Sequence, residues 1–340
     1  MSEKAKRRGS EAEPAQKRMR PALTDDDRKV LQKAIQERFS LRAPEEMFAV
    51  MECCASIDPC QPMTALREFH VELTGPFRLV NDYMSAHELP PHTDDLDERF
   101  FYDMPEVCVV MKRTDQGEQP MHWAYFRDEP DEEPISVVAN KPSEGSTFHV
   151  ASESLIGSIV AHCSRAEKQA AHKKDTKESI AERFRDAAAV KGISIAEGQG
   201  PKWRERQKRA VAKDLFGFGV VVPYDKRTEV GYRNVGYTAK QMRELLDNYR
   251  HAKRDASRAE IETMITNAQL ALDEGDNGTP VEIGRAFLAV DKLTDKPGVT
   301  PTFKAPGQAL LSAVYPVLNR SAFVSALNRL LEARQQHCSK

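Results

Sequence analysis

Apolar residues recur at spacings of three and four along much of the chain, and each such stretch predicts a helix with one buried face. Thr24, with Asp27 three residues on, reads as a capping box opening a helix that buries Val30, Leu31, Ile35 and Phe39. Pro44, Glu45 and Glu46 suit the first turn of a second helix with Phe48, Met51 and Ala55 as its stripe. After Pro62 the pattern changes to short β-branched and aromatic runs at residues 69–74, 106–111, 122–126 and 135–139. Separated by Gly, Pro and Asp turns, these predict a meander packed on the first helices.

Helical spacing returns with Leu155, Ile159 and Val160, then with Ile180, Phe184 and Ala188, and Gly192 supplies a stop. The run Phe216-Gly-Phe-Gly-Val-Val-Val-Pro is the most strand-like of the second half. Further helices are expected over 241–251, 258–272, 282–290 and 309–333. The expected fold class is α+β: a basic tail over 1–23, an N-terminal α+β domain with a small antiparallel sheet over 24–150, and a mainly helical domain with a short sheet over 151–340.

Composition narrows the function. The 340 residues are 40% hydrophobic and 30% charged, enough for a sizeable core. A formal charge of −2 gives no global attraction to nucleic acid or anionic lipid, so such contacts would need a local patch. No run of about 18 apolar residues could span a bilayer and no secretory signal opens the chain, so no membrane partner is expected. The six cysteines, Cys53, Cys54, Cys60, Cys108, Cys163 and Cys338, form no CxxC pair or zinc spacing and read as reduced thiols. Residues 1–20 hold seven Lys and Arg against three Glu. Their clusters Lys6-Arg7-Arg8 and Lys17-Arg18-Met19-Arg20 resemble a bipartite nuclear import signal, so a nuclear location is expected. A second basic run, residues 202–213 around Trp203, reads either as a solvated face or as a phosphate-tracking surface.

The candidate chemistry lies at Asp273-Glu274-Gly275-Asp276-Asn277-Gly278, where the apolar stripe Ile261, Met264, Ile265, Ala268 and Leu272 ends. Gly275 and Gly278 can both take the positive φ that stops a helix. Three carboxylates crowded at the negative end of a helix dipole disfavour ionisation, which would tune one of them as a proton acceptor. A solvated acidic turn is the plainer reading. A calcium loop starting at Asp273 would need ligands where Gly275 and Gly284 stand. No phosphate loop, zinc helix, nucleophile elbow or kinase signature is present, and Gly217 and Gly219 lack the third glycine of a dinucleotide fingerprint. His122 and His149 read as structural histidines.

Three stretches carry a family resemblance: Arg99-Phe-Phe-Tyr-Asp-Met-Pro-Glu with Tyr125-Phe-Arg-Asp-Glu-Pro-Asp-Glu, Gly219-Val-Val-Val-Pro-Tyr-Asp-Lys with Val230-Gly-Tyr-Arg, and Asp273-Glu-Gly-Asp-Asn-Gly with Glu282-Ile-Gly. In this order and spacing the chain resembles the histone PARylation factors, accessory subunits of DNA-damage-activated poly(ADP-ribose) polymerases. The resemblance implies an N-terminal half similar to the Smi1/Knr4 fold and a C-terminal half that docks on the polymerase catalytic domain. It implies that Glu274 completes a composite active site for serine ADP-ribosylation, with histones as substrates and limited chain elongation. Asp273, Arg233 and Tyr232 would support the docking surface, with Lys304 near it. NAD would be bound by the polymerase, so no cofactor or metal of the chain's own is expected. The tail would help hold the chain at chromatin. The sequence departs from the family pattern at Leu270, where an aromatic is expected, at Gly275, where a cysteine is expected, and at Asn234, where an acid is expected. A non-catalytic nuclear scaffold and a direct nucleic-acid binder remain the rival readings.

Overall fold

The computed structural model describes residues 22–91, 98–169, 179–251, 254–291 and 302–339; the tail over 1–20, with its import-signal clusters, lies outside them. Helix α1 (Asp25–Phe39) opens on the expected capping box: the Thr24 hydroxyl accepts the Asp27 amide, and the Asp27 carboxylate accepts the Thr24 amide at 2.9 Å. Two otherwise bare amides are thereby satisfied. The helix buries Leu31, Ala34, Ile35 and Phe39. Val30, expected inside, flanks that stripe and is 42% exposed.

After α2 (Glu45–Ile57), five strands form one antiparallel meander in sequence order: β1 (Val71–Leu73), β2 (Val107–Arg113), β3 (His122–Phe126), β4 (Ser136–Asn140) and β5 (His149–Ser152). A helix the strand pattern hid, α3 (Pro76–Ala86), follows β1 and buries Phe77, Val80, Tyr83 and Met84. Side chains alternate between the sheet faces. Cys108, Val110, Trp123, Tyr125 and Val137 point into one core, whereas Val107, Val109, Ala124, Phe126 and Val138 point into the other. The runs are almost wholly apolar because both faces are covered.

The first face packs against α1 to α3 together with α4 (Leu155–Gln169) and α5 (Ile180–Lys191), the latter stopped by Gly192 at φ 64°. The second face carries Trp203 of α6 (Pro201–Arg209), the 215–222 segment and a helical layer. That layer comprises α7 (Ala239–His251), α8 (Arg254–Asp273), α9 (Gly278–Val290), α10 (Lys304–Val317) and α11 (Ser321–Ser339). Helix α9 is buried along its whole length and forms the centre of the layer.

Two further expectations fail. The short C-terminal sheet is absent among the described residues: Val220 and Val222 enter the core without a ladder, leaving only isolated bridges such as Ala212 to Val220. Gly217 and Gly219 at φ 88° and 73° bend this segment out of strand geometry. The helix expected over 309–333 is two helices. Pro316 lies in the last turn of α10, and Asn319 turns the chain at φ 61° before α11 begins.

Buried arginines join the layers. Arg285 of α9 pairs with Glu106 at 2.7 Å and Asp214 at 3.0 Å, and Tyr315 donates to the same Glu106 oxygen. Burial alone would raise the Glu106 pKa, yet the charge and hydrogen bond of Arg285 together with the Tyr315 hydrogen bond outweigh it and hold the carboxyl below its ordinary value. Arg206 of α6 pairs with Asp128 at 2.7 Å, its guanidinium 4.7 Å from the centre of the Phe126 ring.

Candidate functional site

Helix α8 ends in a Schellman motif. The Asp276 amide reaches back to the Ala271 carbonyl at 2.7 Å and the Gly275 amide to the Leu272 carbonyl at 3.2 Å, with Gly275 at φ 88°. Asp273 and Glu274 are thereby left exposed on the last turn, while Asp276 is turned inward and buried. Gly278 does not end the helix as expected. It starts α9, and its lack of a side chain has a packing cause: a Cβ there would lie 3.0 Å from the Tyr232 ring and 3.0 Å from Val222.

The segment 231–233 is stapled to this turn. The Gly231 amide donates to Asp276 Oδ1 at 3.0 Å, and the Gly231 carbonyl accepts the Gly278 amide at 2.8 Å. Thr279 uses one hydroxyl twice, accepting the Arg233 amide at 3.0 Å and donating to the Arg233 carbonyl at 2.8 Å. Gly231, at φ 116°, is packed so closely that a Cβ would stand 2.2 Å from the Pro223 carbonyl oxygen. Backbone and turn thus fix the origin of the Arg233 side chain.

From that origin the Arg233 guanidinium donates to Glu274 Oε2 and lies 3.1 Å from Asp276 Oδ2. Its hydrogen bond to Glu274 holds Arg233 above its ordinary pKa. The like-charge crowding inferred from sequence is therefore offset by a cation between the carboxylates. Behind it, the Tyr232 hydroxyl donates at 2.9 Å to Glu282 of α9. Burial raises the Glu282 carboxyl to about 7, with Asp214 adding to the rise and the Tyr232 bond opposing it. Burial likewise pushes the Tyr232 phenol up.

Of the residues singled out in the sequence, Glu274, Arg233 and Tyr232 form one continuous arrangement with the turn that carries Asp273. Lys304 does not join them: it sits at the start of α10 and donates to Gln335 of α11 at 2.7 Å. The supporting contacts of Asp276, Thr279 and Glu282 are not legible in the sequence, because their partners lie 45 to 50 residues away. Leu270, named only as a departure, is 50% exposed one helical turn before Glu274, and Val230 is 51% exposed. An open groove of about 1120 Å³ runs from Glu274, Asp276 and Arg233 towards the end of α6 and the 223–230 turn. Trp203 is buried against Phe126 and takes no part in any surface, which removes it as a base-stacking residue.

These features define the class: an α+β chain in which one sheet is enclosed by two helical layers and an exposed, arginine-held glutamate stands at the rim of a groove. The chain belongs to the family "Histone PARylation factor 1", whose family model matches residues 30–334. Histone PARylation factor 1 of Bos taurus is 28% identical over 317 residues, covering 90% of this chain and 87% of the relative. The Mus musculus protein is 28% identical over 314 residues with the same coverage. That of Danio rerio is 27% identical over 330 residues, covering 94% of this chain and 91% of its own length.

Proposed function

We propose that this chain docks on the catalytic domain of a DNA-damage-activated poly(ADP-ribose) polymerase and lends it Glu274 as the general base for serine ADP-ribosylation, histones being the principal substrates. The observation that carries this reading is the exposed Glu274 carboxylate, held in one orientation by Arg233 beside a surface apolar residue, Leu270. Family membership supports the polymerase as partner.

A serine acceptor, unlike a carboxylate, must lose a proton during attack. The serine oxygen bonds to the ribose C1″ of polymerase-bound NAD as the bond to the nicotinamide nitrogen breaks, and its electron pair leaves with nicotinamide. The hydroxyl proton passes to Glu274. Arg233 holds one oxygen of that carboxylate, and the other can take the proton. General-base assistance of this kind is worth roughly 10² to 10⁴ in rate. With this chain seated at the acceptor site, elongation of the attached ADP-ribose would be hindered.

The same reading places the chain in the nucleus, at chromatin near DNA damage, with the tail assisting. The N-terminal half is taken as Smi1/Knr4-like, a reading supported by a meander with helices on one face. Capture by the isolated catalytic domain tests the docking half: Asp273→Ala and Leu270→Asp weaken capture, and full capture of both variants would displace the interface from this turn.

A further inference from the structure

We propose that Asp276 is a positioning residue for the reaction at Glu274. It holds the Arg233 guanidinium from the buried side, so that Arg233 orients Glu274 without cancelling its charge and stays in place when Glu274 takes the serine proton. This rests on Glu274 acting as the general base.

The two carboxylates that meet Arg233 differ in how firmly they are held. The Glu274 side chain is 55% exposed, and among the described residues Arg233 is its one side-chain partner. The Asp276 side chain is 10% exposed and anchored at both oxygens: Oδ1 accepts the Gly231 amide at 3.0 Å, and Oδ2 faces the guanidinium at 3.1 Å. Its backbone is fixed as well, the amide by the Ala271 carbonyl at 2.7 Å and the carbonyl by the Thr279 amide at 3.1 Å. Arg233 thus has one anchored carboxylate and one movable one. Both meet the same terminal nitrogen, whose two protons suffice for the pair.

Charge gives this arrangement its consequence. An arginine paired with Glu274 alone would neutralise it and leave a poor proton acceptor. With Asp276 present, the cluster keeps one carboxylate more than it has cations. That excess negative charge favours the arriving serine proton and the positive charge that develops on the ribose as the bond to nicotinamide breaks. Once Glu274 is protonated its attraction for Arg233 falls, and Asp276 retains the guanidinium until the proton passes to water. The other charged groups nearby do not take over this hold. Asp273 on the same turn, and Glu229 and Lys226 across the groove, form no ion pair with Arg233 or Glu274 among the described residues.

The test compares the parent chain with Asp276→Asn in the presence of an activated polymerase, NAD and a single-serine histone peptide, following kcat and KM for the peptide across pH. Asparagine keeps an oxygen for the Gly231 amide and loses the charge. The expected result is an unchanged KM and a kcat lower by roughly three- to tenfold. The acid limb of the kcat profile moves to lower pH by about half to one unit, the effect of removing one negative charge beside a solvated base. The polymerase's own titrations are common to both chains and cancel in the comparison. An unmoved acid limb overturns the inference, and so does a kcat loss matched only by a fall in melting temperature, which would make Asp276 a folding residue. Nitrogen NMR of the free chain gives a second reading that does not depend on the Asp276→Asn chain folding. In Glu274→Gln the Arg233 guanidinium should keep the restricted rotation of its terminal nitrogens seen in the parent, because Asp276 still holds it. A freely rotating guanidinium in that variant overturns the inference. If the parent chain gives no serine modification, the reading of Glu274 as the base fails instead, and the guanidinium measurement alone decides whether Asp276 holds Arg233.

Discussion

Arg233 donates to Glu274 across a sequence separation of 41 residues, and the same guanidinium lies 3.1 Å from Asp276. The exposed carboxylate is thus oriented from a neighbouring segment whose backbone is itself fixed by Asp276 and Thr279. Exposed ion pairs add little to stability, so the value of this one lies in position. Arg233→Ala should leave the melting temperature nearly unchanged while lowering serine transfer about 10²-fold, the cost of a misplaced reacting group. A parallel loss of stability and transfer would make Arg233 a folding residue instead.

Gly231 offers a second route to the same side chain. Because a Cβ there would meet the Pro223 carbonyl and φ is positive, Gly231→Ala should destabilise by about 2 kcal/mol or more and displace Arg233. Gly275→Ala meets only Val230, at 4.0 Å, so its cost should be the backbone's alone, about 1 kcal/mol. Denaturant titration of the two variants checks the ordering.

Glu282 makes stability pH-dependent. Its folded pKa of about 7 lies above the ordinary 4.5, so between these values the native state keeps a proton that the unfolded chain has released. That contribution is fully present below about pH 4.5 and is lost as pH rises through 7, on the order of 3 kcal/mol if undivided. Glu282→Gln stays neutral throughout, so the variant should gain on the parent between pH 5 and pH 8, on the order of 3 kcal/mol by thermal melting. A constant difference across that range would place the titration elsewhere.

Trp203 separates two readings of the basic run. Buried between Phe126 and the Arg206 guanidinium, it should cost about 3–5 kcal/mol when changed to Ala. Any nucleic-acid affinity of the folded protein should be unchanged in Trp203→Phe. A selective loss of affinity in that variant would restore the stacking surface.

The sequence made some of this visible and hid the rest for identifiable reasons. Thr24 and Asp27 cap a helix locally, Gly192 ends one locally, and the short β-branched and aromatic runs of β2 to β4 pair in sequence order, so short-range pattern sufficed. The Phe216 to Val222 run misled because β-branched residues bury equally well in an irregular segment, and Gly217 and Gly219 decide against a strand. Pro316 was a visible break in the last long helix that the apolar spacing overrode. Arg206 falls within a run that reads as a solvated or phosphate-tracking surface, and nothing local marks Arg285 or Arg320 as buried because their partners are distant, Glu106 standing 179 residues from Arg285. At the site, the DEGDNG turn was legible as chemistry and Arg233 through the family resemblance. The supports Asp276, Thr279 and Glu282 exist only once residues 231–233 fold onto α9.

The most direct measurement is mass-spectrometric mapping of acceptor residues after incubating an activated polymerase, NAD and histones with this protein or its Glu274→Gln variant, alongside capture of each by the catalytic domain. The account predicts modified serines with the parent chain, and no serine modification with the variant despite undiminished capture. Serine modification at the parent level by Glu274→Gln would contradict it.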